Sequence, residues 1–330
     1  VRAVGQRLLD LDLRGGDLPV GVAAMEELGV DAEAATKGLI LSGPHLLAAL
    51  DHAGALKLTA PRLLSLGLRG NALLETLAMM RRLGISGDVY ESHVELSGAL
   101  LMEALWLLEA LGGDRRAVIG YGLKGFRLIS KLRVMTELGI RHPDYLLYIA
   151  MRNDSSALDL LFLLRDMGYG RDDVAKLELS GEKLLAAMEC ARDLRLTSAD
   201  VLGHIRLNNT ALSAALKQMA ELGMTSEVRA ALALEGALLV TAMRHMKNLH
   251  LPARAVADTF DLQGEGLVTA LATVHACRIK VSTVKLMGLR GRDLSRALEA
   301  VSLLKYTDDI YRKSIALTGR PLAECLKQLT

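Results

Sequence analysis

The chain has 330 residues, 51% of them apolar, and balances 40 Lys and Arg against 38 Asp and Glu, so no basic or acidic tail advertises a partner. Only 3% are aromatic and six are proline; sandwiches, barrels and doubly wound sheets draw on aromatic and β-branched residues, and a chain that leans on Leu, Ala and Met reads as all-helical instead. Three scattered cysteines, Cys190, Cys277 and Cys325, exclude a disulfide scaffold and suit the cytoplasm or another reducing compartment, the inside of a host cell entered by a secreted effector included.

From the first residues onward a Leu-polar-Gly tripeptide recurs. Its glycines are Gly15, Gly43, Gly70, Gly98, Gly125, Gly181, Gly236, Gly264, Gly291 and Gly319, and the same slot falls on Asn153 and Asn209. Each step is 27 or 28 residues, which makes twelve copies of one unit and leaves no room for a second domain in 1–330. Asn is the side chain that best tolerates a left-handed backbone, so the slot is expected to be the C′ position of a short helix, with positive φ. Two residues earlier stands Leu13, Leu41, Leu68, Leu96, Leu123, Met151, Leu179, Leu207, Leu234, Leu262, Leu289 or Leu317, expected as the last core residue of that helix.

After the slot, apolar residues fall at spacings of three and four, as in Leu73-Leu74-Leu77-Met80 and Leu100-Leu101-Leu105-Leu108. That predicts a longer helix of about three turns. It often ends in Leu-Gly, as at Leu28-Gly29, Leu83-Gly84, Leu111-Gly112, Leu138-Gly139 and Leu222-Gly223. N-cap residue types follow at Asp31, Thr59, Ser86, Asp114, Ser198, Thr225 and Thr307, with Pro61, Pro143 and Pro252 near helix starts where a missing N–H is harmless. Two-helix units that cannot bury a face alone must stack. The expected fold is therefore all-α, a right-handed α-solenoid of about twelve two-helix repeats. Neither end has an obviously polar cap, so the array is expected to be part of a longer one or to associate end to end with another copy. No uncharged apolar stretch reaches the ~18–20 residues of a membrane span, and no membrane partner is expected.

Immediately before each slot sits a variable polar residue: Arg14, Ser42, Arg69, Ser97, Lys124, Arg152, Ser180, Asn208, Glu235, Gln263, Arg290 and Thr318. Five are basic and one is acidic. The long helix begins at this corner, so its unpaired N–H groups face the same edge. A track of helix N-termini dotted with Arg and Lys suits regularly spaced anions, and phosphodiester backbones are the obvious ones. Arg14, Arg69, Lys124, Arg152 and Arg290 would clamp the backbone, and the Ser, Asn, Gln and Thr members would supply any base preference. A polar, mildly basic column also follows from exposure and the macrodipole at helix C-termini, with no ligand at all.

The stretch from Asn71 to Gly98, with Leu83-Gly84-Ile85-Ser86 between its helices, resembles in layout the DNA-reading repeats of transcription activator-like effectors. More weakly, it resembles those of mitochondrial transcription termination factors. The resemblance implies a superhelix whose variable corner residues face DNA. The alternative is a protein- or peptide-binding scaffold using a concave face, as most helical solenoids do.

Gly120-x-Gly122-x-x-Gly125 matches a dinucleotide fingerprint but lacks the preceding strand, and its last three residues are the repeat tripeptide. His142-Pro143-Asp144 copies the J-domain tripeptide and fits a helix start better. His245 and His250 are five apart, off the i,i+4 spacing of a helical metal pair, and no cofactor is expected. Trp106 and Phe162 fall in long-helix patterns and are expected in the core. Tandem like groups argue against an enzyme, because catalysis needs unlike groups converging.

Overall fold

A computed structural model describes residues 11–315 and 317–329. Among them every regular element is a helix, and no single helix is long and apolar enough to cross a membrane. The chain divides after Arg165 into two compact units, and in each a short helix alternates with a long one.

In the first unit the helix Asp17–Leu28 packs on Gly43–Leu56, that helix on Gly70–Leu83, then Gly98–Ala110, then Phe126–Glu137. In the second, Gly181–Asp193 packs on Asn209–Glu221, followed by Gly236–Asn248, Gly264–Ala276, Gly291–Leu303 and Gly319–Leu329. The buried stripe has one recipe. In Gly98–Ala110 it is Leu101, Ala104, Leu105 and Leu108; in Asn209–Glu221 it is Leu212, Ala215, Leu216 and Met219. Large residues fill the interior while the single Ala lets neighbouring helices approach. Truncating one of these leucines to Ala costs about 2–5 kcal/mol.

Both ends of the long helix are set locally. The Leu-Gly endings are left-handed caps: Gly29 at φ 69° donates to the Glu26 carbonyl, and Val30 closes the turn on Met25 at 2.8 Å. Of the expected N-caps, Asp31, Asp114 and Thr225 accept first-turn N–H groups, whereas Thr59, Ser86 and Thr307 accept none. Asp31 accepts the Ala34 N–H at 2.6 Å and Asp114 those of Arg116 and Ala117 at 2.8 and 3.2 Å. At 198 the cap is Thr197 instead, sharing a reciprocal pair of hydrogen bonds with Asp200, while Ser198 gives its hydroxyl to the Gly168 carbonyl at 2.7 Å. Five short helices are π-helical over part or all of their length: Ala34–Leu39, Tyr90–Val94, Tyr145–Ile149, Asp200–Ile205 and Tyr311–Ile315. In this wider turn Glu95 donates to Tyr90 at 2.9 Å.

The corner differs from the sequence expectation in one respect. The slot has positive φ at Gly43 (53°), Gly98 (57°) and Asn209 (51°), among others, but it opens the long helix and does not end the short one. The short helix ends three residues earlier, at its own left-handed residue, such as Ile40, Glu95 or Asp261. The intervening Leu is extended: Leu41, Leu96, Leu179 and Leu234 are buried, Leu68, Met151, Leu207 and Leu262 half-buried, and Leu317 exposed. Glycine is favoured here by its positive φ; the Gly43 N–H donates to the Leu11 carbonyl of the preceding repeat at 2.7 Å, and an added Cβ would make only ordinary contact, 3.5 Å, with the Asp12 carbonyl oxygen.

At Asn153 the register slips by one residue. Tyr145–Ile149 ends at Ala150 with ψ 125°, not in the left-handed turn, so the long helix starts at Asp154. Ala157, Leu161 and Leu164 then occupy the buried positions.

Five polar or charged residues are buried among the described residues: Thr76, Lys131, Arg229, Thr283 and Asp308. Lys131 stands where most other repeats carry Ala, as at Ala104 and Ala215; its ammonium donates to the Tyr145 hydroxyl at 2.8 Å and lies 4.2 and 4.1 Å from the Tyr121 and Tyr145 ring centres. In the second unit Arg229 pairs with Asp200 of the preceding repeat at 3.0 Å. Burial alone would raise the Asp200 carboxyl, but hydrogen bonds from Thr197, Ser226 and Arg229 outweigh it and hold the group below its ordinary value.

Two outcomes follow in urea denaturation. On one helix, Gly43→Ala destabilises by about 1–2 kcal/mol through strain at positive φ. Gly54→Ala, whose Cβ meets nothing within 4 Å, stabilises by about 0.5–1 kcal/mol. Because the folded Asp200 pKa is depressed, its contribution is present above the unfolded value of about 3.9 and is lost as pH falls through the folded one. Asp200→Asn destabilises by about 3–5 kcal/mol at pH 7 by stranding buried Arg229, and flattens the loss of stability below about pH 4.

Candidate functional site

The variable column lies at the corner just described. Ser42, Ser97, Ser180, Asn208, Gln263 and Arg290 each precede a long helix in extended conformation, for example Ser42 at φ −149° and ψ 164°. Eleven of the twelve column residues are exposed and Glu235 is half-buried. This placement removes one ordinary explanation of the basic members. They stand at the beginning of a helix, where the macrodipole repels cations, and not at a helix C-terminus.

Nor do the small polar members cap. Ser42, Ser97, Ser180 and Asn208 have the side chains and backbone of good N-caps, yet none accepts a hydrogen bond from the first turn. Three slot N–H groups are taken by the preceding repeat, Gly43 by Leu11, Gly98 by Leu66 and Gly125 by Val94 at 2.7–2.9 Å. The next amides of the first turn have no cap from the column.

The charge of this edge is less one-sided than the column alone implies. Left-handed residues on the same corner include Asp12, and at the ends of short helices Glu95, Glu178 and Asp261. Lys124 pairs with Glu95 at 2.7 Å and Arg14 with Asp12 at 3.0 Å. Glu235 accepts from His204 at 2.7 Å, and that bond holds its carboxyl below the ordinary value, helped by the charges of His204, Arg206 and Arg229. Gln263 reaches back to the Ala231 carbonyl at 3.0 Å. Arg69, Arg152 and Arg290 have no ion pair among the described residues. In the slipped repeat Asn153 is the residue just ahead of the helix; its carbonyl accepts from Ala157 at 3.1 Å and its side chain from the Ser155 N–H at 2.9 Å, which sets Arg152 one residue further out.

Four column cations, Arg14, Arg69, Lys124 and Arg152, belong to the first unit. The second contributes Arg290 and the acidic Glu235.

Other motifs resolve into local structure. Gly122 is the left-handed cap of Arg115–Tyr121, just past that helix and not within it, and Gly125 is a slot residue. Asp144 accepts the Arg141 N–H at 3.2 Å, a helix start, and His142 meets the Tyr121 hydroxyl at 3.0 Å. Trp106 is not core: it is 61% exposed, one residue past buried Leu105. The equivalent position holds Asp51, Arg133, Lys217 and Glu299 in other repeats, so aligning the units would have placed it outside. Phe162 is half-buried, with the Arg165 guanidinium 5.1 Å from its ring centre. Phe126, Leu146 and Leu147 are also exposed in the first unit.

No known family model matches the chain, and no curated protein sequence matches it.

Proposed function

We propose that the chain is a non-enzymatic α-solenoid of two-helix repeats that binds duplex nucleic acid through its corner column. What carries this reading is the set of exposed, unpaired cations at helix beginnings, Arg69 and Arg152 above all. They stand where helix electrostatics disfavours them, Arg69 next to first-turn amides that the column leaves uncapped and Arg152 one residue ahead of the Asn153 cap. Arg69 and Arg152, joined by Lys124 and Arg14 once their carboxylate partners are displaced, contact phosphates. Ser42 and Ser97 offer a donor and acceptor to base edges. Stacking contributes little, since the column contains no aromatic residue. Nucleic acid also replaces the repulsion between each helix beginning and its cation with an anion that attracts both.

A second reading, a protein-binding scaffold, rests on Trp106, Phe126, Leu146 and Leu147, large apolar side chains that a lone domain seldom exposes.

Fluorescence anisotropy with duplex DNA tests the first reading. Affinity falls steeply with salt, with a log–log slope of about −3 to −4 for four phosphate contacts. Arg69→Glu with Arg152→Glu weakens binding about tenfold or more, whereas Arg244→Glu, which changes charge at an exposed position in the middle of a long helix, leaves it within about twofold. Glu95→Gln acts in the other direction and tightens binding by releasing Lys124. Salt-independent binding, or a corner variant indistinguishable from Arg244→Glu, refutes the proposal and leaves the Trp106 surface as the reading to pursue.

A further inference from the structure

At the opposite ends of the long helices in the second unit, a cavity of about 800 Å3 opens between the turns that follow Gly236–Asn248 and Gly264–Ala276. His250, His275, Arg278 and Lys280 line it, Ser282 adds a hydroxyl, and none of its lining residues is acidic. The side chains of His250, Arg278 and Lys280 have no hydrogen bond or ion pair among the described residues. The His275 ring lies 5.8 Å from that of His245. The nearest carboxylate is already engaged: Asp308 accepts the Lys280 backbone N–H at 3.0 Å and pairs with Arg312 at 3.2 Å. Arg312 also donates to the Ser282 hydroxyl at 2.9 Å, setting a further cation behind the wall.

The backbone gives a second observation. The residue that closes each long helix is left-handed, and it is glycine at Gly84, Gly112, Gly139 and Gly223. In the two turns bounding the cavity it is His250 and Arg278, both at φ 53°, and in the next repeat Lys305 at 54°. A cation at a helix C-terminus gains from the macrodipole, but less than a side chain loses in the left-handed region. Glycine is the better structural choice, and strain retained at a lined cavity points to use.

We infer that this cavity binds the terminal phosphate groups of a small phosphorylated ligand. Arg278 offers a planar fork of donors to two phosphate oxygens, Lys280 a point charge, and the two imidazoles and the Ser282 hydroxyl further donors. A terminal phosphate carries close to two negative charges at neutral pH, against one for each group of a phosphodiester chain, and a compact cluster of unpaired cations favours the denser charge. The inference does not depend on the corner column, which lies at the other ends of these helices.

Calorimetric titration of the full chain with inorganic pyrophosphate at fixed ionic strength is the test. Saturable binding is expected. Arg278→Gly with Lys280→Ala weakens it about tenfold or more without lowering Tm, because glycine relieves the left-handed strain. Lys280→Glu, which alters only an exposed side chain, weakens it as well. Arg290→Glu at the corner retains full pyrophosphate affinity even where nucleic-acid binding suffers. The inference is overturned by absence of saturable binding or by unchanged affinity in both cavity variants.

Discussion

At several joints the architecture depends on backbone hydrogen bonds that tie a repeat to the one before it. A helix begins with N–H groups that have no partner inside the helix, and here the preceding repeat supplies one. At the corner, Gly98 donates to Leu66 and Gly125 to Val94. At the other edge the first amide of a short helix donates to the last leucine or methionine carbonyl of an earlier long helix, as in His142 to Leu111, Ser198 to Met167 and Ala253 to Leu222, at 2.9–3.0 Å. Apolar stripes press the helices together without fixing how far one slides along the next. The two rows of amide bonds fix that register, because a slip would orphan a buried donor at each edge.

That dependence explains which parts of the molecule were legible in the sequence. The corner slot takes a left-handed residue, so Gly recurs with Asn209 as its substitute and the repeat shows itself plainly. The buried Leu-Ala-Leu stripe is legible for the same reason: it recurs. What did not recur was hidden. The short-helix ends at Ile40, Glu95 and Asp261 share a conformation but no residue type, so nothing marked them, and the corner was placed on the wrong helix. The slip at Asn153 was hidden because Met151-Arg152-Asn153 still imitates the tripeptide. Lys131 went unread because its aromatic partners, Tyr121 and Tyr145, come from two neighbouring short helices.

The hidden left-handed ends also carry charge, and this alters the electrostatics of the corner. An acidic residue three positions ahead of the slot stands beside the corner of the next repeat, as the 2.7 Å contact between Glu95 and Lys124 shows. Exposed pairs of this kind contribute about 0–1 kcal/mol each, too little to hold a cation against a phosphate. They do lower the potential a distant anion meets, so steering toward this edge is weaker than the column's own charge implies. Unpaired Arg69 and Arg152 therefore matter more than the number of cations in the column.

Left-handed residues occur at both edges, but the two edges fill them differently. At the corner the exceptions to glycine are mixed: Ile40, Glu95, Glu178, Arg206, Ala233 and Asp261. At the long-helix ends they are Lys57, Arg195, His250, Arg278 and Lys305, all basic. Dipole attraction for a terminal cation, about 0.3–1 kcal/mol at a surface, accounts for the sign of this preference. It does not account for replacing glycine at all, since the left-handed region costs an ordinary side chain about 1–2 kcal/mol. The deficit is smallest where a neighbour shares the load, as Glu227 does for Arg195 at 3.8 Å. Lys57, Lys305, His250 and Arg278 have no such partner among the described residues, and of these His250 and Arg278 line one cavity together. An anion bound between them supplies the missing term, which makes strain and charge two aspects of a single arrangement.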